Sequence, residues 1–143
     1  MPQKLEPKNF AGLNVLIVEN QPPILGLMRD YFALAGVKKI YEAPNGQDAI
    51  ALIQGGGAPD INFILCDWNM PIMTGLEFLK LVREFNPDIP FLMMSGRGDK
   101  ESIREAKEAG VSGYIPKPFN PLQLEAKLDV LLNPYGDAAV SVA

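Results

Sequence analysis

The sequence predicts an α/β fold: a single, doubly wound (βα)5 domain with five parallel strands and helices on both faces of the sheet. Five short apolar runs alternate with longer amphipathic stretches, the pattern of βα units around a parallel sheet. Three of those runs are apolar at nearly every position, as strands covered on both faces must be. At 143 residues the chain is long enough to build one such core without disulfides or a structural metal.

The strands are expected at "NVLIVE" (14–19), "KKIYEA" (38–43), "INFILCD" (61–67), "IPFLMMS" (89–95) and "SGYIP" (112–116). The second is the most polar and suits a sheet edge. Between the first two, Ile24, Leu25, Met28, Tyr31, Phe32 and Ala35 recur at helical spacing, with Gly36 at the C-terminal stop. Asn45 caps a second helix running to about Gln54. A third runs from Gly75 to about Phe85, with Leu76, Leu79 and Val82 on one face, until "NPDIP" ends it. The fourth, Asp99 to Ala109, is unusually polar and is followed by Gly110. Leu122, Leu124, Leu128, Leu131 and Leu132 mark the fifth, from about Pro121. Residues 1–11 and 134–143 lack periodicity and read as tails around one domain, 12–133, so no output domain is expected in this chain.

Composition removes several classes of function. The net charge is -4 and the basic residues are scattered, which gives no footprint for nucleic acid. No apolar run approaches the roughly 20 residues of a membrane-spanning helix, and the N-terminus has no signal-peptide core. With the lone Cys66 in view, a reducing, cytoplasmic location is expected. There is no histidine, so histidine-based metal sites and Ser-His triads are excluded. Cys66 and the methionines at 70, 73, 93 and 94 read as packing residues.

In an open parallel sheet, ligands bind beyond the carboxyl ends of the strands. Glu19 and Asn20 follow the first run, Asp67 ends the third, Ser95 ends the fourth and Lys117 follows the fifth. Singly each is ordinary solvation of a strand end; together they place two acids, an amide, a hydroxyl and an ammonium on one edge. A carboxylate fixed at the end of a buried strand, as Asp67 is, serves as a nucleophile or a metal ligand. With only oxygen ligands the fitting ion is magnesium. Lys117 and Ser95 would act on the same anion, which describes phosphoryl transfer to an aspartate.

At these residues the chain resembles the receiver domains of two-component response regulators, most closely the stand-alone chemotaxis type. "CDWNMPIMTGLEFLKLVR" resembles the phosphoacceptor loop, "FLMMSG" the fourth strand with its hydroxyl, and "GVSGYIPKPF" the fifth strand with its lysine. The resemblance implies a flavodoxin-like sheet of order 2-1-3-4-5, the order known for the chemotaxis members. It implies that Asp67 accepts a phosphoryl group from a phosphohistidine on a kinase or phosphotransfer protein. Asp67 and the Asn69 carbonyl would bind Mg2+, Lys117 would pair with the phosphoryl oxygens, and Ser95 would donate to one of them. Tyr114 would be the aromatic switch residue. The Lys117–Pro118 bond would be cis, and targets would dock on the face of helix 4, strand 5 and helix 5. Arg97 and Asn69 would flank the line of water attack. Such a chain is a signalling protein and not an enzyme, with no nucleic acid or membrane insertion.

One stretch departs from the pattern. The family usually carries two acids after strand one, and here those places hold Glu19 and Asn20. Asn20 would supply a neutral oxygen to the metal, weakening its binding at rest. The departure also keeps a rival in view, a pseudo-receiver that binds partners without phosphorylation. A remoter rival, an aspartyl-nucleophile phosphatase of the haloacid dehalogenase type, needs a general acid two residues after the nucleophile, where Asn69 stands. A flavodoxin-like cofactor binder needs a phosphate loop after strand one, which "ENQPP" does not provide.

Overall fold

The computed structural model describes residues 10–132; residues 1–9 and 133–143, nearly all of both expected tails, lie outside the described residues. Five strands and five helices alternate: β1 (Asn14–Val18), α1 (Pro22–Leu34), β2 (Lys39–Ala43), α2 (Gly46–Gln54), β3 (Phe63–Asp67), α3 (Gly75–Phe85), β4 (Phe91–Ser95), α4 (Lys100–Glu108), β5 (Gly113–Pro116) and α5 (Pro121–Leu132). The sheet is parallel throughout in the order β2-β1-β3-β4-β5, the order the resemblance implies.

Strands β3 and β4 are buried along their whole length because each face meets a different layer. Val15, Ile17, Phe63, Leu65, Leu92 and Met94 point into a core closed by Met28 and Phe32 of α1 and by Leu124 and Leu128 of α5. Their neighbours Leu16, Val18, Ile64, Cys66, Phe91 and Met93 point the other way, onto Phe78, Leu79 and Val82 of α3 with Ala49 and Ala106. The edge strands β2 and β5 are only partly buried.

Local chemistry sets the helix ends. Asn45, Thr74 and Asp99 each accept a backbone N–H with the side chain, and Thr74 completes a reciprocal capping box with Glu77. α1 has no side-chain cap; it begins on Pro22 and Pro23, where a missing N–H costs nothing. Gly36 and Gly110 adopt the positive φ that ends a helix without a Cβ penalty. Several strands begin one or two residues later than the apolar runs suggest. Before β4 the reason is Pro90, which has no N–H to give the ladder while its carbonyl accepts from Ile64 N. Phe10, inside the stretch expected to be a tail, donates its N–H to the Ala35 carbonyl at 2.9 Å and packs against the α1 side of the core.

Candidate phosphoacceptor site

Strand register assembles the site. Val18 pairs with Cys66, so Glu19, just past the end of β1, and Asp67, the last residue of β3, lie side by side at the carboxyl edge. Ser95 pairs with Pro116, which brings Lys117 to the same edge from β5. The chain passes from β1 outward to β2 and returns across it to β3, so this edge is also where the strand order reverses.

Three of the four buried polar or charged residues among the described residues meet here: Glu19 (1 % exposed), Asp67 (4 %) and Ser95 (0 %). Lys117 Nζ lies 3.2 Å from Asp67 Oδ1 and 3.6 Å from Glu19 Oε1, a hydrogen-bonded ion pair and a looser one. Glu19 Oε2 accepts the Gln21 N–H at 3.0 Å, but Oε1 is buried with no hydrogen-bond partner among the described residues. Burial above all, and then the charge of Asp67, push the Glu19 carboxyl above its usual range, against the opposing pull of Gln21 N–H and Lys117. Ser95 Oγ accepts the Arg97 N–H at 2.8 Å, which leaves the hydroxyl proton for another acceptor.

Beside the site, residues from the loops after β3 and β4 meet β5 in an aromatic cluster. Trp68 is anchored by its N–H to the Met94 carbonyl at 2.9 Å and meets Tyr114 edge to face, with centroids 6.3 Å apart. The Arg97 guanidinium lies over the Trp68 ring, 5.4 Å from its centroid, and the Arg97 carbonyl accepts the Tyr114 hydroxyl. The Lys117–Pro118 peptide is cis, as the resemblance implies. Asn20 and Asn69 are both exposed, and the Asn20 amide makes no hydrogen bond among the described residues.

The sequence model of the response regulator receiver domain matches residues 15–129. The chain belongs to that family. Receiver domains are the signalling modules of two-component systems, which implies kinase or phosphotransfer partners and downstream targets. Among similar proteins, this receiver is 35% identical over 120 residues to the chemotaxis protein CheY-3 of Vibrio cholerae, covering 82% of this chain and 90% of the relative. It is 33% identical over 122 residues to the chemotaxis protein CheY1 of Helicobacter pylori, covering 84% and 97% of the two chains. The solved structure of Vibrio cholerae CheY4 superimposes with a TM-score of 0.77 at 33% identity, over 84% of this chain and 98% of that one. A Francisella response regulator receiver domain gives 0.74 at 26% identity, over 85% and 97%.

Receiver domains of this family typically use Mg2+ in phosphorylation. Among the described residues no cluster of three or more acids, cysteines or histidines gathers. The receiver brings two carboxylates, Glu19 and Asp67, together at this edge. This set fits magnesium, which keeps several waters and needs only one or two carboxylates. Glu19 Oε1, with no hydrogen bond and only the looser ion pair to Lys117, is the oxygen a cation would satisfy.

Two features of the loop after β3 escaped the sequence reading. A Cβ on Gly75 would stand 2.3 Å from the Asp67 carbonyl oxygen and 2.8 Å from Trp68 Cα, so α3 can begin against the site only with glycine there. In "MTGLEF" the glycine carries this signal, but helical spacing marks it only as a helix start. Ile72 has φ +70 inside a γ-turn closed by Met73 N–H to the Pro71 carbonyl. A β-branched residue in that region is strained, and nothing in the local sequence advertises it.

Proposed function

We propose that this receiver accepts a phosphoryl group on Asp67 from a phosphohistidine of a partner kinase or phosphotransfer protein, and signals by binding a target protein in that state. The observation that carries this reading is Lys117 Nζ bridging the buried Asp67 and Glu19 carboxylates at the switch point of the sheet. In the transfer, an Asp67 carboxylate oxygen forms the O–P bond as the P–N bond to the donor imidazole breaks and the imidazole leaves with the electron pair. Lys117 already faces Asp67 Oδ1, so the incoming phosphoryl oxygens meet a fixed positive charge. The Ser95 hydroxyl would donate to a phosphoryl oxygen, its acceptor side being held by Arg97 N–H. Glu19, Asp67 and the Asn69 carbonyl, with Asn20 as a neutral ligand, would hold Mg2+, which would supply charge neutralisation for the phosphoryl group.

Read this way, Tyr114 couples the site to the surface, since its hydroxyl reports on the β4–α4 loop while its ring sits on β5. Targets would dock on α4, β5 and α5, and the exchange would take place in the cytoplasm, where the buried Cys66 thiol persists.

The test is to incubate the protein with a small phosphodonor and Mg2+ and to follow both mass and Trp68 fluorescence. One phosphoryl group on Asp67, lost in Asp67→Asn, is expected, with a fluorescence change reproduced by beryllofluoride. An unlabelled Asp67 and a silent Trp68 would instead establish a pseudo-receiver, a reading that the neutral, exposed Asn20 keeps open.

A further inference from the structure

Gly46, the first residue of α2, has no backbone reason to be glycine. It sits within the helix and is not one of the glycines at positive φ, so alanine would be the better helix former there. What it accommodates is a side chain from the loop after β3. A Cβ on Gly46 would stand 2.8 Å from Met73 Sδ, 3.2 Å from Met73 Cγ and 3.3 Å from Met73 Cβ. Rotating the Met73 side chain moves the sulfur and leaves its Cβ where it is, because that atom is fixed to the loop backbone. A methyl group at position 46 therefore presses on the loop itself. Met73 lies along a notch that glycine leaves open.

The loop seated in this notch is the one that leaves the phosphoacceptor. It is closed at its base by the Gly75 N–H on the Trp68 carbonyl, 2.8 Å away, and Asn69, Pro71 and Ile72 bulge outward, all exposed. Ile72 holds φ +70 at the turn where Met73 N–H bonds back to the Pro71 carbonyl. A β-branched residue keeps such a backbone only where the surroundings over-determine it. Met70 and Met73 turn inward onto the core, and Met73 adds the tie to α2. That end of α2 is itself fixed, since the Asn45 side chain accepts the Asp48 N–H at 2.8 Å.

We propose that Met73, seated on Gly46, is a positioning residue for the phosphoacceptor site: it holds the β3–α3 loop, and with it the Asn69 carbonyl, in a single conformation. This rests on the reading of Asp67 as phosphoacceptor and of the Asn69 carbonyl as a Mg2+ ligand. Asn69 and Met73 lie in the same closed loop between Trp68 and Gly75, so displacing Met73 redistributes the backbone dihedrals of the residues between them. Magnesium demands near-ideal octahedral geometry and tolerates little movement of a ligand oxygen. The first turn of α2, which contributes no ligand, thereby sets how firmly the loop offers one.

Two readouts on the full chain test the seat: hydrogen exchange of residues 69–75 in the metal-free protein, and the Mg2+ concentration at half-maximal change of Trp68 fluorescence. Gly46→Ala is expected to speed that exchange about fivefold or more. It should also raise the Mg2+ concentration about tenfold, as disturbing a group that orients a metal ligand does. Asn45→Ala removes the cap of the same helix without touching Met73, so it should destabilise the fold and leave both readouts close to wild type. Combining Gly46→Ala with Met73→Ala removes the sulfur and Cγ from the path of the new methyl group. Both readouts should then return toward wild type, a rescue that lost stability alone does not produce. Met73→Ala alone empties the notch and should loosen the loop by a smaller factor, which keeps the test decisive should Gly46→Ala not fold. Readouts unchanged in Gly46→Ala and Met73→Ala would overturn the proposal and reduce the contact to packing. Equal changes in Asn45→Ala would overturn it in favour of general destabilisation. A wild-type protein without any Mg2+ response would instead sink the proposed site chemistry, while the exchange measurement still decides whether Met73 holds the loop.

Discussion

Glu19 is the residue under greatest electrostatic conflict: a buried carboxylate beside a second carboxylate, with one lysine between two claimants. Its carboxyl is raised from the ordinary 4.5, chiefly by burial and next by Asp67. A raised folded-state value means that the folded protein binds more protons than the unfolded chain between those two values, so this group lowers stability as pH climbs through that window. The penalty is absent below the unfolded value and complete above the folded one. Glu19→Gln should therefore raise the urea midpoint of the metal-free protein at pH 7 without changing the slope, and flatten its pH dependence above 4.5. The same change should weaken Mg2+ binding at least tenfold, by removing one of the two carboxylates. A variant that lost both stability and metal affinity would show that the Lys117 pairing outweighs burial. Ile72 poses a simpler case. Its side chain is 69% exposed, so it gains little from packing while holding φ at +70. Asparagine tolerates that region, and Ile72→Asn should stabilise the fold by about 1 kcal/mol in chemical denaturation.

At the scale of elements, α3 is the piece most tightly tied to the site, because its first residue touches the Asp67 and Trp68 backbone. Gly75 donates its N–H to the Trp68 carbonyl at 2.8 Å while Thr74 and Glu77 lock the helix start. Gly75→Ala forces a Cβ into the Asp67 carbonyl, so it should both destabilise the fold and slow phosphoryl labelling of Asp67. Thr74→Ala should cost about 1 kcal/mol through the lost cap and leave the labelling rate close to wild type. Comparing the two separates pressure on the site from loss of helix stability. The strands and helices themselves were readable from the chain because burial on both faces leaves unbroken apolar runs such as "FILC" and "FLMM", and glycine or a capping side chain marks most helix ends. The meeting of Glu19, Asp67, Ser95 and Lys117 was readable because the carboxyl ends of parallel strands must share one edge. What loops do between those ends was not. The arginine over Trp68, the γ-turn at Ile72 and the outward Asn20 depend on backbone paths that no periodicity encodes.

For the whole molecule, the proposed phosphoryl transfer to Asp67 would make Asn20 the source of a coupling between metal and phosphoryl group. With Glu19, Asp67 and Lys117 the resting site carries one net negative charge, whereas a second acid in place of Asn20 would make it two. Unit charges about 4 Å apart interact by about 4 kcal/mol at the effective dielectric of a protein surface, before solvation is counted, so a missing acid would weaken Mg2+ binding to the resting site. Phosphorylation of Asp67, or its mimic, would bring close to two negative charges to the same strand edge and restore the attraction. Binding of Mg2+ and of beryllofluoride should then be strongly cooperative, each raising the affinity for the other by the same factor, because linkage is reciprocal. Thermal melts offer a direct readout, since a ligand at a hundred times its dissociation constant adds about 2.7 kcal/mol. Mg2+ alone should shift the melting temperature little at concentrations where Mg2+ with beryllofluoride shifts it by several degrees. Asn20→Asp should raise the shift from Mg2+ alone and shrink the cooperativity. Equal shifts in the presence and absence of beryllofluoride, unchanged by Asn20→Asp, would mean that the neutral residue at the rim plays no part in holding the metal, and that Glu19 and Asp67 hold it unaided.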